Sequence, residues 1–231
     1  MVDLGTLGGG YSRAVAVNLW GQVVGDSTTP GDTVSHAFSW TKKGGMIDLG
    51  TPPGSYSNAS AVNTWGQVVG SIFTPGNLGY HAFSWTQQGG MVDLGTLGGG
   101  YSEAFAVNDS GQVVGYSGTS GGADHAFSWS RWGGMVDLGT LGGSNSYPGF
   151  FGPPFQRTVN IGGQVVGYSN TRGDAGYHAF SWTQEGGMLD LRPLGGTNSI
   201  AFAVNDSGQV VGSCDLASGQ SHACLWNVVR Y

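Results

Sequence analysis

The sequence carries little charge: 10% of its 231 residues are Asp, Glu, Lys or Arg, and eight Lys and Arg against fourteen Asp and Glu leave a net charge near −6. Eight cations scattered along the chain form no basic stripe that could neutralise phosphates, so no nucleic-acid partner is expected. Long hydrophobic runs are missing too. None approaches the roughly 18 residues that a membrane-spanning helix needs, and no charged-then-apolar leader is expected in a chain that opens directly on a repeating pattern. Cysteine occurs twice, at Cys214 and Cys224. They would lie on two strands joined by one turn, where either a disulfide of an oxidising compartment or a pair of buried thiols fits. Helix signals are absent, which leaves an all-β chain.

Glycine is in excess instead, with 45 residues, yet 39% of the chain is hydrophobic and the apolar residues recur in short blocks with glycines between them. That is the pattern of strands and turns rather than of a disordered chain. The blocks repeat. Five copies, Met1–Gly45, Met46–Gly90, Met91–Gly134, Met135–Gly187 and Met188–Tyr231, tile the chain without a linker. A period of about 45 residues marks a repeat architecture whose units bury their apolar faces against one another, and one domain is expected.

In the third copy four blocks read as strands: Glu103–Asn108, Gln112–Ser117, His125–Trp129 and Met135–Gly139, the first two joined by the tight turn Asp109-Ser110-Gly111. Four short antiparallel strands per copy predict a five-bladed β-propeller. The chain opens on a fourth-type strand, Val2–Gly5, and closes after a third-type strand, His222–Trp226. Residues 1–5 are therefore expected to complete the last blade and close the ring. An open solenoid is the alternative fold. Loops leading into first and third strands define an upper face, and the tight turns a lower one.

The copies also share His-Ala-Phe, Ala-Val-Asn, Gly-Gln-Val-Val-Gly and Asp-Leu-Gly-Thr. In these motifs the whole chain resembles HAF repeats, a family of largely predicted extracellular bacterial repeat proteins. The resemblance implies a bacterial secreted or surface protein and carries no catalytic assignment. Two copies depart from the pattern: the fourth carries an insertion, Ser144–Phe155, and the last reads His-Ala-Cys.

Residues repeated in every copy are assigned to the scaffold, because a ligand site needs different residues in different roles. His36, His81, His125, His178 and His222 belong to this group, as do Asp3, Asp48, Asp93, Asp137 and Asp190. Antiparallel pairing would bring each His to the Asp of its own blade, and equivalent positions around a ring stand too far apart to share a metal. The third-strand tryptophans Trp40, Trp85, Trp129, Trp182 and Trp226 are expected between blades.

Function is sought where the copies differ. The leading positions of the first strands are Arg13, Asn58, Glu103, roughly Phe155 to Arg157, and Ile200, expected around the upper mouth of the channel. Arg157, Arg172 and Arg192 cluster in the fourth blade, whose last strand opens the fifth copy, and, with Arg13, suggest a carboxylate-binding site for an acidic sugar or other small anionic ligand. The insertion adds Tyr147, Phe150, Phe151 and Phe155 as a lid, a stacking platform or a plug. On the lower face Trp20, Trp65 and Trp132 are candidates for stacking on sugar rings, or for packing on a neighbour. Gly118–Gly122 fits G-x-S-x-G without its strand-to-helix context, and Arg172-Gly173-Asp174 is a short common triplet.

The leading expectation is a secreted or surface carbohydrate-binding or adhesion module, a reading that rests on analogy with propeller lectins. A hydrolase or lyase acting on a polysaccharide or ester is the alternative, with Glu103 as acid or base and Asp124 or Asp174 as second carboxylate. A structural spacer is the third. No cofactor or metal is assigned, and a monomer is expected.

Overall fold

The computed structural model describes residues 1–31, 33–73, 76, 79–149 and 157–228. Among them, nineteen strands form five antiparallel sheets. Sheet one contains β1 (Ser12–Val17), β2 (Val23–Thr28), β3 (Ser35–Thr41) and β4 (Gly45–Asp48) in sequence order. Sheet two repeats this with β5 (Tyr56–Val62), β6 (Val68–Phe73), β7 (Tyr80–Thr86) and β8 (Gly90–Asp93). Sheet three holds β9 (Gly98–Val107), β10 (Val113–Thr119), β11 (Asp124–Ser130) and β12 (Gly134–Asp137). Sheet four holds β13 (Gly142–Pro148), β14 (Val165–Thr171), β15 (Tyr177–Thr183) and β16 (Gly187–Leu191). Sheet five has three strands, β17 (Gly195–Val204), β18 (Gln209–Leu216) and β19 (Ser221–Asn227).

The second strands explain the stacking. Consecutive valines on a strand point to opposite faces, so a Val-Val pair stays buried only if sheets cover both. Val69, Val114 and Val166 are fully buried, and each packs toward the following sheet, while Val68, Val113 and Val165 pack toward the preceding one. Apolar clusters accordingly fill the junctions between sheets one and two, two and three, three and four, and four and five.

Polar links recur at the same four junctions. The Nδ2 of Asn18 donates to the carbonyl of Asn63, Asn63 to Asn108, Asn108 to Asn160, and Asn160 to Asn205, at 2.8–3.0 Å. Higher up, the backbone amides of Ala37, Ala82, Ala126 and Ala179 donate to Oγ of Ser57, Ser102, Ser146 and Ser199 in the following sheet. The lower ends of β1, β5, β9 and β17, together with Arg157, Val159, Asn160 and Ile161 ahead of β14, line one cavity of about 650 Å³, so they surround a common axis.

The junction between sheets five and one differs. Asn205 bonds Gln209 in its own turn, and Val211, at the position of the fully buried Val24, Val69, Val114 and Val166, is 46% exposed. Residues 1–11 lie outside any strand, with Met1 and Val2 exposed, so the expected fourth strand of the last sheet is not formed. Asp3 nevertheless holds the turn seen at the other fourth strands: its carboxylate accepts from the Gly5 amide as Asp48, Asp93 and Asp137 accept from Gly50, Gly95 and Gly139. Cys214 and Cys224, on β18 and β19, are joined by a disulfide.

Candidate functional site

The repeated His and Asp residues pair inside each four-stranded sheet. His36–Asp48, His81–Asp93, His125–Asp137 and His178–Asp190 meet at 2.6–2.9 Å through Nδ1. They tie third strands to fourth strands at the sheet edge, and among the described residues no group of His, Cys, Asp and Glu converges on a metal position.

Glycine determines where the variable residues stand. In each Gly-Gln-Val-Val-Gly block the second glycine, at Gly25, Gly70, Gly115, Gly167 and Gly212, lies so close to the first strand that a Cβ there would overlap the carbonyl oxygen of Arg13, Asn58, Glu103, Tyr147 and Ile200 respectively. The first strands bulge at or beside this point in sheets one, two, three and five. A bulge re-aims the neighbouring side chain, so one invariant glycine per copy presents one variable residue.

This contact corrects the expected ring. The fourth member is Tyr147 on β13, not Phe155–Arg157, because the insertion interrupts the inner strand after Pro148 rather than before the variable position. Phe150, Phe151 and Phe155 fall outside the described residues. Arg157 lies beyond the insertion: its carbonyl accepts from the Val204 amide, and it lines the cavity at the lower mouth of the channel.

Each variable residue meets a cross-strand partner on the second strand. The pairs are Arg13–Asp26, Asn58–Ser71, Glu103–Tyr116, Tyr147–Tyr168 and Ile200–Ser213. Arg13 donates from Nε and Nη2 to Asp26 Oδ1 at 3.0 and 2.8 Å, so its charge is satisfied within its own sheet. Arg192 sits 3.5 Å from Asp190 with most of its side chain in solvent. Arg172 begins a short exposed turn, Arg172–Asp174, in which Asp174 accepts from the amide and hydroxyl of Ser144. The arginines therefore do not converge into the anion clamp that the sequence suggested.

What does converge is aromatic and acidic. Tyr101 and Tyr116 meet edge to face, Tyr116 meets Tyr147 at 5.4 Å, Tyr147 meets Tyr168 at 5.4 Å, and Tyr168 meets Tyr177 at 5.7 Å. This ladder crosses the upper halves of sheets three and four. A second group, Tyr56, Phe73 and Tyr80, packs at 4.8–5.8 Å on sheet two. Two carboxylates are set into this surface. Asp124 Oδ1 accepts from the Tyr101 hydroxyl and Oδ2 from the Tyr147 hydroxyl at 2.8 Å, while its amide donates to Asn145 Oδ1. Glu103 accepts from Tyr116 and lies near enough to Tyr80 to act on its charge.

The electrostatics follow from this packing. Partial burial pushes the Glu103 carboxyl above its ordinary range, and the Tyr116 hydrogen bond draws it partly back. Burial and then the charges of Glu103 and Asp124 hold Tyr116 well above an ordinary phenol. Tyr101 is pushed up to about 12, chiefly by its hydrogen bond to Asp124, and Tyr168 to about 12 by burial. These phenols stay protonated and donate, so the surface offers flat rings, hydroxyl donors and two carboxylate acceptors.

Of the expected residues, the structure thus brings together Glu103, Tyr147 and Asp124, and separates Arg13, Arg157, Arg172 and Arg192. Asn58 bonds Ser71 at 3.3 Å one sheet away from the ladder. Sequence reasoning missed Tyr101, Tyr116, Tyr168 and Tyr177. A signal existed: the residue after the second glycine reads Asp26, Ser71, Tyr116, Tyr168, Ser213, and the residue before each His reads Ser35, Tyr80, Asp124, Tyr177, Ser221. Both columns vary as the first-strand position does. On the lower face Trp20, Trp65 and Trp132 are all exposed, and Arg131 lies over the Trp132 ring at 5.5 Å.

No family model and no curated protein matches the chain. Among solved structures the chain is similar to the crystal structure of TolB from Acinetobacter baumannii, at 14% identity and a TM-score of 0.53, covering 93% of this chain and 54% of that one. It thus spans about half the length of that protein. A gluconolactonase from Xanthomonas campestris aligns at 12% identity over 94% of this chain and 77% of its own, with a TM-score of 0.44. Aleuria aurantia lectin, in complex with Fucα1-6GlcNAc, aligns at 12% identity over 96% and 77%, with a TM-score of 0.38. The TolB likeness and the five stacked sheets define the fold class, a β-propeller. At such identity it speaks for the fold alone.

Proposed function

We propose that the chain is a carbohydrate-binding module of the HAF-repeat type, bacterial and extracellular or cell-surface, with its main site on the upper halves of sheets two to four. One observation carries the reading: the tyrosine ladder from Tyr101 to Tyr177 with Asp124 and Glu103 set into it. Aromatic faces stack on the apolar faces of pyranose rings, and carboxylates with phenols satisfy the hydroxyls around their rims. With two acceptor carboxylates set into it and Arg13 neutralised by Asp26, the surface favours neutral or amino sugars over acidic ones. The Cys214–Cys224 disulfide supports an oxidising compartment. A glycan array spanning neutral, amino and acidic sugars tests this, with hits expected on the first two; hits confined to acidic sugars would refute it.

Catalysis is the second reading, favoured by the placement of Glu103 and Asp124 on either side of Tyr116 and by the raised carboxyl of Glu103, which suits a general acid. Hydrolysis of a glycan that survives Glu103→Gln unchanged would remove it. Ring closure is part of the same proposal: Met1–Gly5, outside any strand in this structure but turned at Asp3 and Gly5 as the fourth strands are, docks as the fourth strand of sheet five when the ring closes. Deleting Met1–Gly9 is then expected to lower the melting temperature, and an unchanged value would leave the ring open.

A further inference from the structure

On the opposite, lower face a cavity of about 710 Å³ opens between sheets one and two, and nothing in the upper site uses it. Its most conspicuous walls are Trp20 and Trp65, each 78% exposed, at equivalent positions of two adjacent sheets. The other three copies carry Ser110, Gly162 and Ser207 there, so the fold does not require indole at this turn. The backbones that carry both tryptophans are fixed in tight turns. The Trp20 amide donates to Asn18 Oδ1 and the Trp65 amide to Asn63 Oδ1, each at 3.0 Å, and Gly21 and Gly66 close the turns at φ of 75° and 83°.

Between the indoles the wall is made of amides and hydroxyls, including Gln87 and Gln88, over a floor provided by the nearly buried Trp85. Ile47 is the one aliphatic side chain, and no Lys or Arg, among the described residues that line the cavity. The single carboxylate, Asp109, is engaged by the amide and hydroxyl of Thr64 at 2.8 and 2.9 Å. Lys42 and Lys43, in the turn between the lining residues Thr41 and Gly44, do not themselves line the cavity, so an acidic ligand finds no cation on its walls, and the one carboxylate already accepts two hydrogen bonds. A greasy protein segment would find amides where it needs aliphatic packing.

Two flat, apolar planes on fixed turns, separated by neutral hydrogen-bonding groups, fit an uncharged glycan, whose ring faces are apolar and whose edges are hydroxyls. We propose that the Trp20–Trp65 cleft is a second sugar-binding site, specific for neutral oligosaccharides. The module would then bind glycan at both ends of the channel and cross-link chains, with the avidity that two sites confer.

Affinity electrophoresis through gels containing laminarin, xyloglucan, galactomannan or dextran tests this. The protein is expected to be retarded by at least one of them. The Trp20→Ala/Trp65→Ala double variant should bind at least about tenfold more weakly, while Trp132→Ala, which removes a still more exposed indole outside the cleft, retains retardation. Both tryptophans are exposed, so thermal melting of the double variant should match wild type and show that the loss is local. Absence of retardation by all four polysaccharides, or retardation undiminished in the double variant, overturns the proposal. Loss on Tyr147→Ala alone assigns the binding to the upper site and also overturns it. Self-association in sedimentation that the double variant abolishes would make the cleft a protein interface, with the same consequence.

Discussion

The first strands carry two different kinds of information at their two ends. Below the lower end four of them run directly into an Asn and β13 reaches one after the insertion, and Asn18, Asn63, Asn108, Asn160 and Asn205 hand one hydrogen bond from sheet to sheet. At the upper end the equivalent residues are Arg13, Asn58, Glu103, Tyr147 and Ile200, and no two make the same contact. The lower end repeats one bond from sheet to sheet, whereas at the upper end Arg13 and Asn58 bond within their own sheets and Tyr147 reaches across to Asp124. Where a position must join to its neighbour it repeats, and where it faces outward from a glycine-made bulge it is free to differ. The glycine behind each variable residue belongs to the scaffold, and the residue it presents belongs to the site.

That division can be broken most severely at the glycine. Gly115→Ala places a methyl against the Glu103 carbonyl, and a loss of more than about 3 kcal/mol in chemical denaturation is expected. Asn108→Ala strips partners from the Asn160 carbonyl and from the Ser110 and Gln112 amides, and should cost about 2–3 kcal/mol.

Changes at the variable end should be mild by comparison. Glu103 has its carboxyl raised in the folded state, so the fold favours the neutral form; that contribution is complete below the unfolded value near about 4.3 and is lost as pH rises through the folded value. Glu103→Gln keeps a hydrogen-bonding partner for Tyr116 without the charge. It should melt a few degrees above wild type at neutral pH and together with it near pH 4. A lower melting temperature at neutral pH would show that Glu103 belongs to the scaffold after all.

The fold was legible in the sequence because its cause is periodic. Val-Val pairs, buried on both faces, and turns built on Gly recur every 45 or so residues, and each third strand is observed within two residues of its expected place. The site was legible only in part. Glu103 and Tyr147 stood out as departures from the repeat, but the register that sets Tyr116 opposite Glu103 and Tyr168 opposite Tyr147 exists only once the strands pair. The insertion hid the fourth variable residue: counting back five from Asn160, as Arg13 stands five before Asn18, gives Phe155, whereas the contact with Gly167 gives Tyr147. The arginine cluster was a cluster in sequence alone, since Arg157, Arg172 and Arg192 follow different strands and find different neighbours.

The central claim is that the upper tyrosine–carboxylate surface is the main glycan site. Its most direct test is calorimetric titration of the best neutral glycan from the array into wild type, Asp124→Asn and Tyr147→Ala. Asp124→Asn is expected to weaken binding about tenfold and Tyr147→Ala to weaken it further, with the melting temperatures of both variants close to wild type. Equal affinity for all three proteins would contradict the account.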